Sequence, residues 1–407
     1  MRRFILLMLA SLVGVFVFGL LSSPASLQQR GGGGGRGAPA PQSGGGVAGQ
    51  YPKGGSGEIV GAYEIPDQKW PAFAHPYPKP GYIWGSQGGV FAESPNRIWL
   101  ANRGELKLPD KVPNNFPGNW GFFNVQAAVV PIASMSNCIV LVDGDGKLIE
   151  SWTQWDKLFE WGRGPHQIYI SPYDPERHVW VVDDMRHVIH KFTHDGKREV
   201  QMLGEMDEEG DNDDIKHFRR PTFIDWLPNG SFFVSDGYGN KRVVKFDKDY
   251  KFLLKWGSEG TGPGQFNTPH GVAVGSRDHH VFVSDRSNRR IQVFDENGKF
   301  LDEWPNVAPH TMMMSADEHV WAYDSISERV VKYDLMGHLE TAFGQFGTRP
   351  GYTWAVHQMT ADADGNLYMA EVFGGRTQKF HPKPGADPAK IVWGRPLMPM
   401  AGGGSQD

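Results

Sequence analysis

The sequence predicts an all-β fold, a six-bladed β-propeller, and three observations support this prediction. Apolar runs of strand length, bounded by turn residues, recur along most of the 407-residue chain. The runs group in fours, and four short strands make one propeller blade. The 52 glycines and 29 prolines concentrate in an N-terminal tract and in the recurring turns, as a protein of short strands requires.

The clearest repeat unit begins at Pro269. Its second run ends at Asp285, and an Asn-Arg turn at Asn288-Arg289 leads into the third run. The first unit is the most divergent, because a long insertion separates its second run from its third. The strand-like segment Glu58–Tyr63 is a candidate for an outer strand of the ring. By this pattern the six units begin near Val90, Pro165, Pro221, Pro269, Pro309 and Val356.

The chain divides into four segments. Residues 1–25 begin with two arginines, continue as an apolar run and end in small residues, which predicts a signal peptide or an uncleaved N-terminal anchor. Residues 26–57 form a flexible linker, residues 58–397 the propeller, and residues 398–407 a flexible tail. We therefore expect an exported protein, periplasmic or extracellular, that contacts a membrane only through its N-terminal segment.

Charge and cysteine content exclude other classes of function. The formal net charge is −5 and no long basic run is present, so the sequence offers no footprint for a nucleic-acid partner. The one cysteine, Cys138, starts an apolar run and has no partner for an intrachain disulfide, so we expect a buried side chain without a chemical role. The expected partner is a small molecule or a peptide substrate.

Histidines recur at one position of the repeat. The first strand of each propeller blade lines the central channel, so residues at the same register meet around the axis. His166, His270 and His357 follow the opening residue in blades two, four and six, which are about 120° apart in a six-bladed ring. Three neutral imidazoles at one level suit zinc best and leave a fourth coordination position open. The alternative to a metal site is that each ring only forms a hydrogen bond with a backbone carbonyl. A histidine in blade five, His310, breaks the alternation between blades, and its role is open.

A second set of candidate residues lies just after the second strand of a blade. The last residue of that strand is the reference position. Arg103 in blade one and Arg286 in blade four come directly after it, and Tyr238 comes two residues after it in blade three. These side chains are expected at one rim of the channel, where two arginines suit a carboxylate and a tyrosine near cations suits proton transfer. In the structural alternative, Arg286 pairs with an acid such as Asp285, and Tyr238 packs over the ring.

The connector Gly262–Phe266, with the sequence Gly-Pro-Gly-Gln-Phe, is typical of NHL repeats. Taken with its flanking segments, it also resembles the lyase domain of the peptidylglycine α-amidating enzymes. The segments that carry the resemblance are Ser235–Arg242, Gly262–Phe266, Pro269-His270 and Ser284–Arg286, with weaker similarity at Asn102–Gly104, Gly164–His166 and Val356-His357.

The resemblance implies a reaction and a role for each candidate residue. It implies cleavage of the carbon–nitrogen bond of peptidyl-α-hydroxyglycine, or of a related α-hydroxy amide, into an amide and glyoxylate. The implied roles are zinc ligation by the three register histidines, proton acceptance by Tyr238, and binding of the substrate carboxylate by Arg103 and Arg286.

Three positions depart from the pattern of that family. Gly239 stands where the family has a cysteine, Ala355 where it has a methionine, and Gln358 where it has an acid next to the last zinc ligand. The expected cofactor is zinc, and a structural calcium is left open. Two other functions are left open as well: a lactonase-like metal hydrolase, and a non-enzymatic propeller that binds protein or glycan.

Overall fold

The computed structural model describes residues 58–108, 133–160 and 162–401. Within these ranges, six antiparallel four-stranded sheets are arranged as the blades of a propeller, which confirms the predicted fold. The predicted signal peptide or anchor and the predicted linker lie outside the described residues. Over the same ranges, no helix has the length and apolar character needed to cross a bilayer.

The first three blades contain four strands each, given from the channel outward. Blade one contains Gln87–Ser94, Arg97–Asn102, Ile139–Val142 and Leu148–Ser151. Blade two contains Gln167–Ile170, Val179–Asp183, Val188–Phe192 and Glu199–Leu203. Blade three contains Pro221–Trp226, Phe232–Asp236, Arg242–Phe246 and Phe252–Trp256.

The last three blades follow the same order. Blade four contains Pro269–Val274, Val281–Asp285, Arg290–Phe294 and Phe300–Pro305. Blade five contains Pro309–Met314, Val320–Asp324, Arg329–Tyr333 and Leu339–Phe343. Blade six contains Val356–Ala361, Leu367–Glu371, Arg376–Pro382 and, as its outer strand, Tyr63–Glu64.

Short elements lie in the loops within and between the blades. A three-stranded sheet contains Tyr82–Trp84, Glu105–Lys107 and Ala133–Ser134, and a parallel pair contains Ser258–Glu259 and Gln265–Phe266. The 3-10 helices of the described residues are Ala72–Ala74, Thr153–Phe159, Arg286–Asn288 and Pro388–Lys390.

The ring closes between segments that are far apart in sequence. Tyr63–Glu64 pairs antiparallel with Arg376–Pro382, and the Tyr63 hydroxyl accepts a hydrogen bond of 2.8 Å from the Val392 N–H. The first strand of blade six lies beside that of blade one. The candidate closing segment Glu58–Tyr63 therefore does supply an outer strand, although that strand begins only at Tyr63.

The core lies between the blades, because the middle strands are buried on both faces. Every residue of Val179–Asp183 and of Val281–Asp285 is buried. One packing cluster joins blades two and three through Trp180 and Phe232, whose ring centroids lie 5.3 Å apart. Burying a side chain such as Phe stabilises a fold by about 1.5 to 3 kcal/mol relative to exposure. Cys138 is free and buried, as expected.

A β-bulge interrupts the start of the first strand in blades one, three, four, five and six. A bulge leaves a residue out of the ladder and re-aims its side chain. The bulged residues include His270 and His357, and the equivalent residue of blade one is Gly88. Two of the predicted metal ligands therefore sit where the strand bends at the start of its pairing.

The C-terminal segment 393–401, called the C-terminal strap, crosses the end of the channel where the first strands finish. Arg395 forms an ion pair with the buried carboxylate of Asp225 in blade three. The Met398 N–H donates a hydrogen bond of 2.9 Å to a carbonyl of blade two. The ordered chain therefore continues past the expected start of the tail at 398–407.

Candidate metal centre and active site

Three histidines from alternate blades converge on the channel. One ring nitrogen of each of His166, His270 and His357 lies within 4.8 Å of the other two, and all three side chains are buried. The ring centroids of His166 and His357 are 4.4 Å apart, and that of His270 lies 5.5 Å and 5.4 Å from them. The structure thus brings together the three residues that the repeat register selected.

A backbone carbonyl of the following blade orients each of these rings. The Nδ1-to-oxygen distances are 3.1 Å for His166 and Thr222, 2.8 Å for His270 and His310, and 2.8 Å for His357 and Gly88. A carbonyl oxygen only accepts, so Nδ1 of His166 and of His270 carries the proton and Nε2 keeps a lone pair. Nδ1 of His357 has a second neighbour, the amide nitrogen of Gln167 at 3.0 Å. Within the described ranges, Nε2 of His166 has no hydrogen-bond partner. The carbonyls therefore account for only one nitrogen of each ring.

Burial keeps the three imidazoles neutral. Loss of hydration lowers the pKa of each ring well below 6.5, and neighbouring arginine charges lower it further. Neutral imidazole is the form that binds a metal ion. Three Nε2 lone pairs in a buried pocket fit zinc, whose catalytic sites commonly use three protein ligands and keep one position open.

His310 lies beside this set without belonging to it. Its ring stacks on His270 with 5.3 Å between centroids and meets His357 edge to face at 5.2 Å. Burial lowers the pKa of His310 well below 6.5, so this ring is neutral as well. Its contribution to the three-histidine group is the backbone carbonyl that orients His270.

Tyr238 lies beside the histidines, with its hydroxyl 2.8 Å from Nε2 of His270. Three guanidinium carbons surround its ring, at 4.8 Å for Arg220, 5.3 Å for Arg163 and 5.4 Å for Arg286. Burial alone would raise the pKa of Tyr238, but the charges of Arg286 and Arg163 outweigh it and bring the pKa below 10.0. The hydroxyl therefore donates to the lone pair on Nε2 of His270, and the surrounding cations favour the phenolate form of Tyr238.

The two arginines predicted at the rim carry charge that no described carboxylate neutralises in an ion pair. Arg103 is buried, and its Nη2 has no hydrogen-bond partner among the described residues. Burial, together with the charge of Arg163, lowers the pKa of Arg103 to about 9. The alternative partner of Arg286 is already taken, since the Asp285 carboxylate pairs with Arg290 at 2.9 Å. Both rim arginines are therefore available to an anionic ligand.

The sequence analysis missed a buried cluster of Arg163, Asp184 and Arg220 beside the tyrosine. Asp184 accepts hydrogen bonds from Nη2 of Arg163 at 2.7 Å and from Nη2 of Arg220 at 2.6 Å. Burial alone would raise the pKa of Asp184, but the two cations hold it well below its usual range. A signal was present: Asp184 directly follows Asp183, the strand-ending acid, and so has the register that selected the rim arginines.

Gln358 uses its amide to join three blades. Its Oε1 accepts hydrogen bonds from the N–H of Val90 at 3.1 Å and of Ile168 at 3.2 Å, and its Nε2 donates to the Ile168 carbonyl at 2.8 Å. The side chain is neutral, and its oxygen is already shared by two donors. The Gln358 oxygen therefore serves to hold the first strands of blades one and two beside that of blade six.

The site is built on a recognised repeat. The family model of the NHL repeat matches residues 266–294, which cover most of blade four. The chain carries an NHL repeat. The residues matched include His270 and Arg286, so two candidate site residues lie within the matched repeat itself.

This NHL propeller is similar to three curated proteins. Peptidyl-glycine alpha-amidating monooxygenase B of Xenopus laevis is 31% identical over 225 residues, 54% of this chain and 24% of that protein. Peptidyl-alpha-hydroxyglycine alpha-amidating lyase 1 of Drosophila melanogaster is 32% identical over 164 residues, 36% of this chain and 29% of that protein. NHL repeat-containing protein 3 of Homo sapiens is 32% identical over 175 residues, 41% of this chain and 48% of that protein. The matched part spans between about a quarter and a half of these relatives.

Proposed function

We propose that this NHL propeller is a zinc-dependent lyase that cleaves the carbon–nitrogen bond of a peptidyl-α-hydroxyglycine or a related α-hydroxy amide. The products are an amide and glyoxylate. One observation carries the proposal: the Tyr238 hydroxyl, which as a phenolate would accept a proton, lies 2.8 Å from Nε2 of His270 within the three-histidine group. The similarity to proteins named as amidating enzymes supports the same class of reaction.

His166, His270 and His357 would hold the zinc ion through Nε2, because Nδ1 of each ring faces a backbone carbonyl. When bound, zinc supplies Lewis acidity that lowers the pKa of a hydroxyl group at the open position. The charge of the donor set also suits zinc, because three neutral ligands leave the positive charge of the ion available to polarise the substrate.

Tyr238 would take the proton from the substrate hydroxyl. The electrons of the O–H bond then form the carbonyl of glyoxylate, and the bond between the α-carbon and the amide nitrogen breaks. Tyr238 returns the proton to the departing nitrogen, which leaves as a neutral amide. The reaction balances without water, which separates it from hydrolysis.

Arg103 and Arg286 would hold the substrate carboxylate and stabilise negative charge as the carbon–nitrogen bond breaks. Guanidinium groups suit a carboxylate because they donate two parallel hydrogen bonds. A bound carboxylate would also supply a partner to Nη2 of Arg103, which has none among the described residues.

We further propose that the protein acts in the periplasm or outside the cell, because residues 1–25 have the composition of an export signal. N-terminal sequencing of protein from fractionated cells tests this proposal. Recovery outside the cytoplasm supports it, and the first residue then separates a cleaved signal from a retained anchor. An intact chain confined to the cytoplasm contradicts it.

The first experiment is metal analysis by mass spectrometry on the purified protein. We expect about one zinc per chain. The His166→Ala/His270→Ala variant should lose the ion, and His310→Ala, which removes a neighbouring ring outside the set, should retain it. A wild-type chain that takes up no zinc on reconstitution would overturn the proposal.

The second experiment identifies the products. The zinc-loaded protein should convert N-benzoyl-α-hydroxyglycine into equal amounts of benzamide and glyoxylate. Benzoic acid in place of benzamide would indicate a hydrolase. Zinc binding without turnover of any α-hydroxyglycine amide would favour a propeller that only binds its partner.

A further inference from the structure

The rim of the channel is divided into two chemically different sectors. In blades one to four, the two positions after the end of the second strand hold all the charged or phenolic candidates: Arg103, Asp184, Tyr238 and Arg286. In blades five and six, the second of these positions holds Ile326 and Phe373. Phe373 has the register of Tyr238, in the blade directly across the ring.

Aromatic side chains continue outward from Phe373. The Trp354 ring lies 5.8 Å from that of Phe373 and 5.8 Å from that of Phe346, both nearly edge to face. The Trp354 N–H donates a hydrogen bond of 3.1 Å to the Glu371 carboxylate, which ties it to blade six. Trp354 also precedes the ligand His357 by three residues, a separation that spans at most about 11 Å.

We call Ile326, Phe346, Trp354 and Phe373 the apolar sector. Ile326 is 58% exposed and Phe346 is 55% exposed, so both offer a large apolar surface to solvent at the mouth. Neither lysine nor arginine occupies the two rim positions of blades five and six, which are Ser325-Ile326 and Val372-Phe373. Apolar surface that adjoins a polar site is typical of ligand recognition.

We propose that the apolar sector binds an aromatic or other large apolar group on the acyl side of the scissile bond. This inference rests on the proposed function and names its substrate class. The carboxylate and the acyl amide are different substituents of the hydroxyl-bearing carbon. With the carboxylate at Arg103 and Arg286 and the hydroxyl at Tyr238, the acyl group extends toward blades five and six. A charged acyl group would lose part of its hydration against these apolar side chains.

A binding experiment tests the apolar sector without turnover. N-benzoylglycine and N-acetylglycine lack the reacting hydroxyl, so calorimetry on the zinc-loaded and zinc-free protein measures recognition alone. We expect the benzoyl compound to bind roughly tenfold more tightly, because a phenyl ring packed on aromatic side chains contributes about 1 to 1.5 kcal/mol. Equal affinities for the two compounds would overturn the proposal.

Variants assign the preference to the sector. Phe346→Ser and Phe373→Ala should each reduce the benzoyl preference severalfold and leave acetyl binding unchanged. Phe346 is mostly exposed, so its replacement keeps the test valid if Phe373→Ala unfolds. Met336→Ala is the matched control, since Met336 is 71% exposed but lies in the turn between the last two strands of blade five. An equal loss in the control would contradict the assignment.

Turnover separates a failure of the sector from a failure of the lyase. In the wild-type protein, kcat/KM for glyoxylate release should be roughly tenfold higher with N-benzoyl- than with N-acetyl-α-hydroxyglycine. Phe346→Ser should raise KM for the benzoyl substrate and leave kcat unchanged. Equal kcat/KM values for the two substrates would contradict the proposed role of the apolar sector but not the proposed lyase activity. Selective binding of benzoylglycine without glyoxylate release would contradict the proposed lyase activity but not the proposed role of the apolar sector.

Discussion

Nδ1 of His357 in blade six lies 2.8 Å from the carbonyl oxygen of Gly88 in blade one. This contact crosses the seam where the ring closes, so the first blade helps to orient the proposed ligand in the last blade. Gly88 itself is tightly packed, because a Cβ at this position would lie 2.2 Å from the Pro165 carbonyl oxygen. The packing of the seam and the orientation of the His357 ring therefore depend on the same backbone.

Gly88→Ala should weaken zinc binding. The new methyl group forces the Gly88 backbone away from Pro165 and displaces the carbonyl that orients His357. Loss of such an orienting hydrogen bond typically costs about 10- to 100-fold in metal affinity. Competition with a chelator measures the change. Gly271→Ala is the control, since its Cβ would meet Ser284 at an ordinary 3.4 Å; equal losses in both variants would contradict the seam as the cause.

Tyr238→Phe should keep zinc and lose activity. The variant removes the hydroxyl 2.8 Å from His270 and leaves the aromatic ring among the arginines. Removing a proton acceptor of this kind lowers the rate by about 10² to 10⁴-fold. Metal analysis and glyoxylate release, measured on the same sample, check both halves of the prediction. A variant that keeps more than half of the activity would exclude Tyr238 from proton transfer.

Asp184→Asn should destabilise the fold. Asp184 is fully buried between Arg163 and Arg220, and its loss leaves two guanidinium groups without a counter-ion. Breaking a buried ion pair costs about 3 to 5 kcal/mol. Urea unfolding measures the free energy change. Asp145→Asn is the matched control, because Asp145 forms only an exposed pair with Lys147 and should change stability by less than about 1 kcal/mol.

Asp184→Asn also tests the tyrosine environment. The guanidinium carbons of Arg163 and Arg220 lie 5.3 Å and 4.8 Å from the Tyr238 ring centroid, and Asp184 fixes both. At a temperature where the variant is folded, we expect kcat to fall and zinc content to stay the same. An unchanged kcat would show that the cluster serves stability alone.

Glu93 makes stability depend on pH. Burial alone would raise the pKa of Glu93, but His194, Trp99 and Arg97 lower it to about 2. A depressed pKa stabilises the fold at pH values above the unfolded value of 4.5, and this contribution is lost as the pH falls toward 2. Glu93→Gln should therefore cost about 2 to 3 kcal/mol at neutral pH and progressively less below pH 4.5.

Urea unfolding of Glu93→Gln at neutral pH and at pH 3 checks this dependence. The difference in the free energy of unfolding between the variant and the wild-type protein should be smaller at pH 3 than at neutral pH. Glu160→Gln serves as the control, because Glu160 is exposed and should show no gap at either pH. If the difference in the free energy of unfolding is the same at both pH values, the variant is destabilised by altered packing rather than by the loss of charge.

The repeat register predicted the blades and the convergence of the three histidines, because a propeller converts sequence position into position around an axis. The cluster around Asp184 was missed, since its arginines come from blade-opening loops whose meeting point no register defines. The C-terminal strap was missed for a similar reason. Its sequence does not repeat, and its contacts, such as the ion pair between Arg395 and Asp225, join residues far apart in the chain.

The outer strand of blade six also constrains the order of events during synthesis. Tyr63–Glu64 emerges from the ribosome early, whereas its partner Arg376–Pro382 is made near the end. Until the two pair, the nascent chain carries unpaired strand edges, which are sites of intermolecular association. The histidine of the last blade arrives equally late. A shortened chain that ends before blade six would therefore lack both the seam and the third proposed ligand, however long it were allowed to fold.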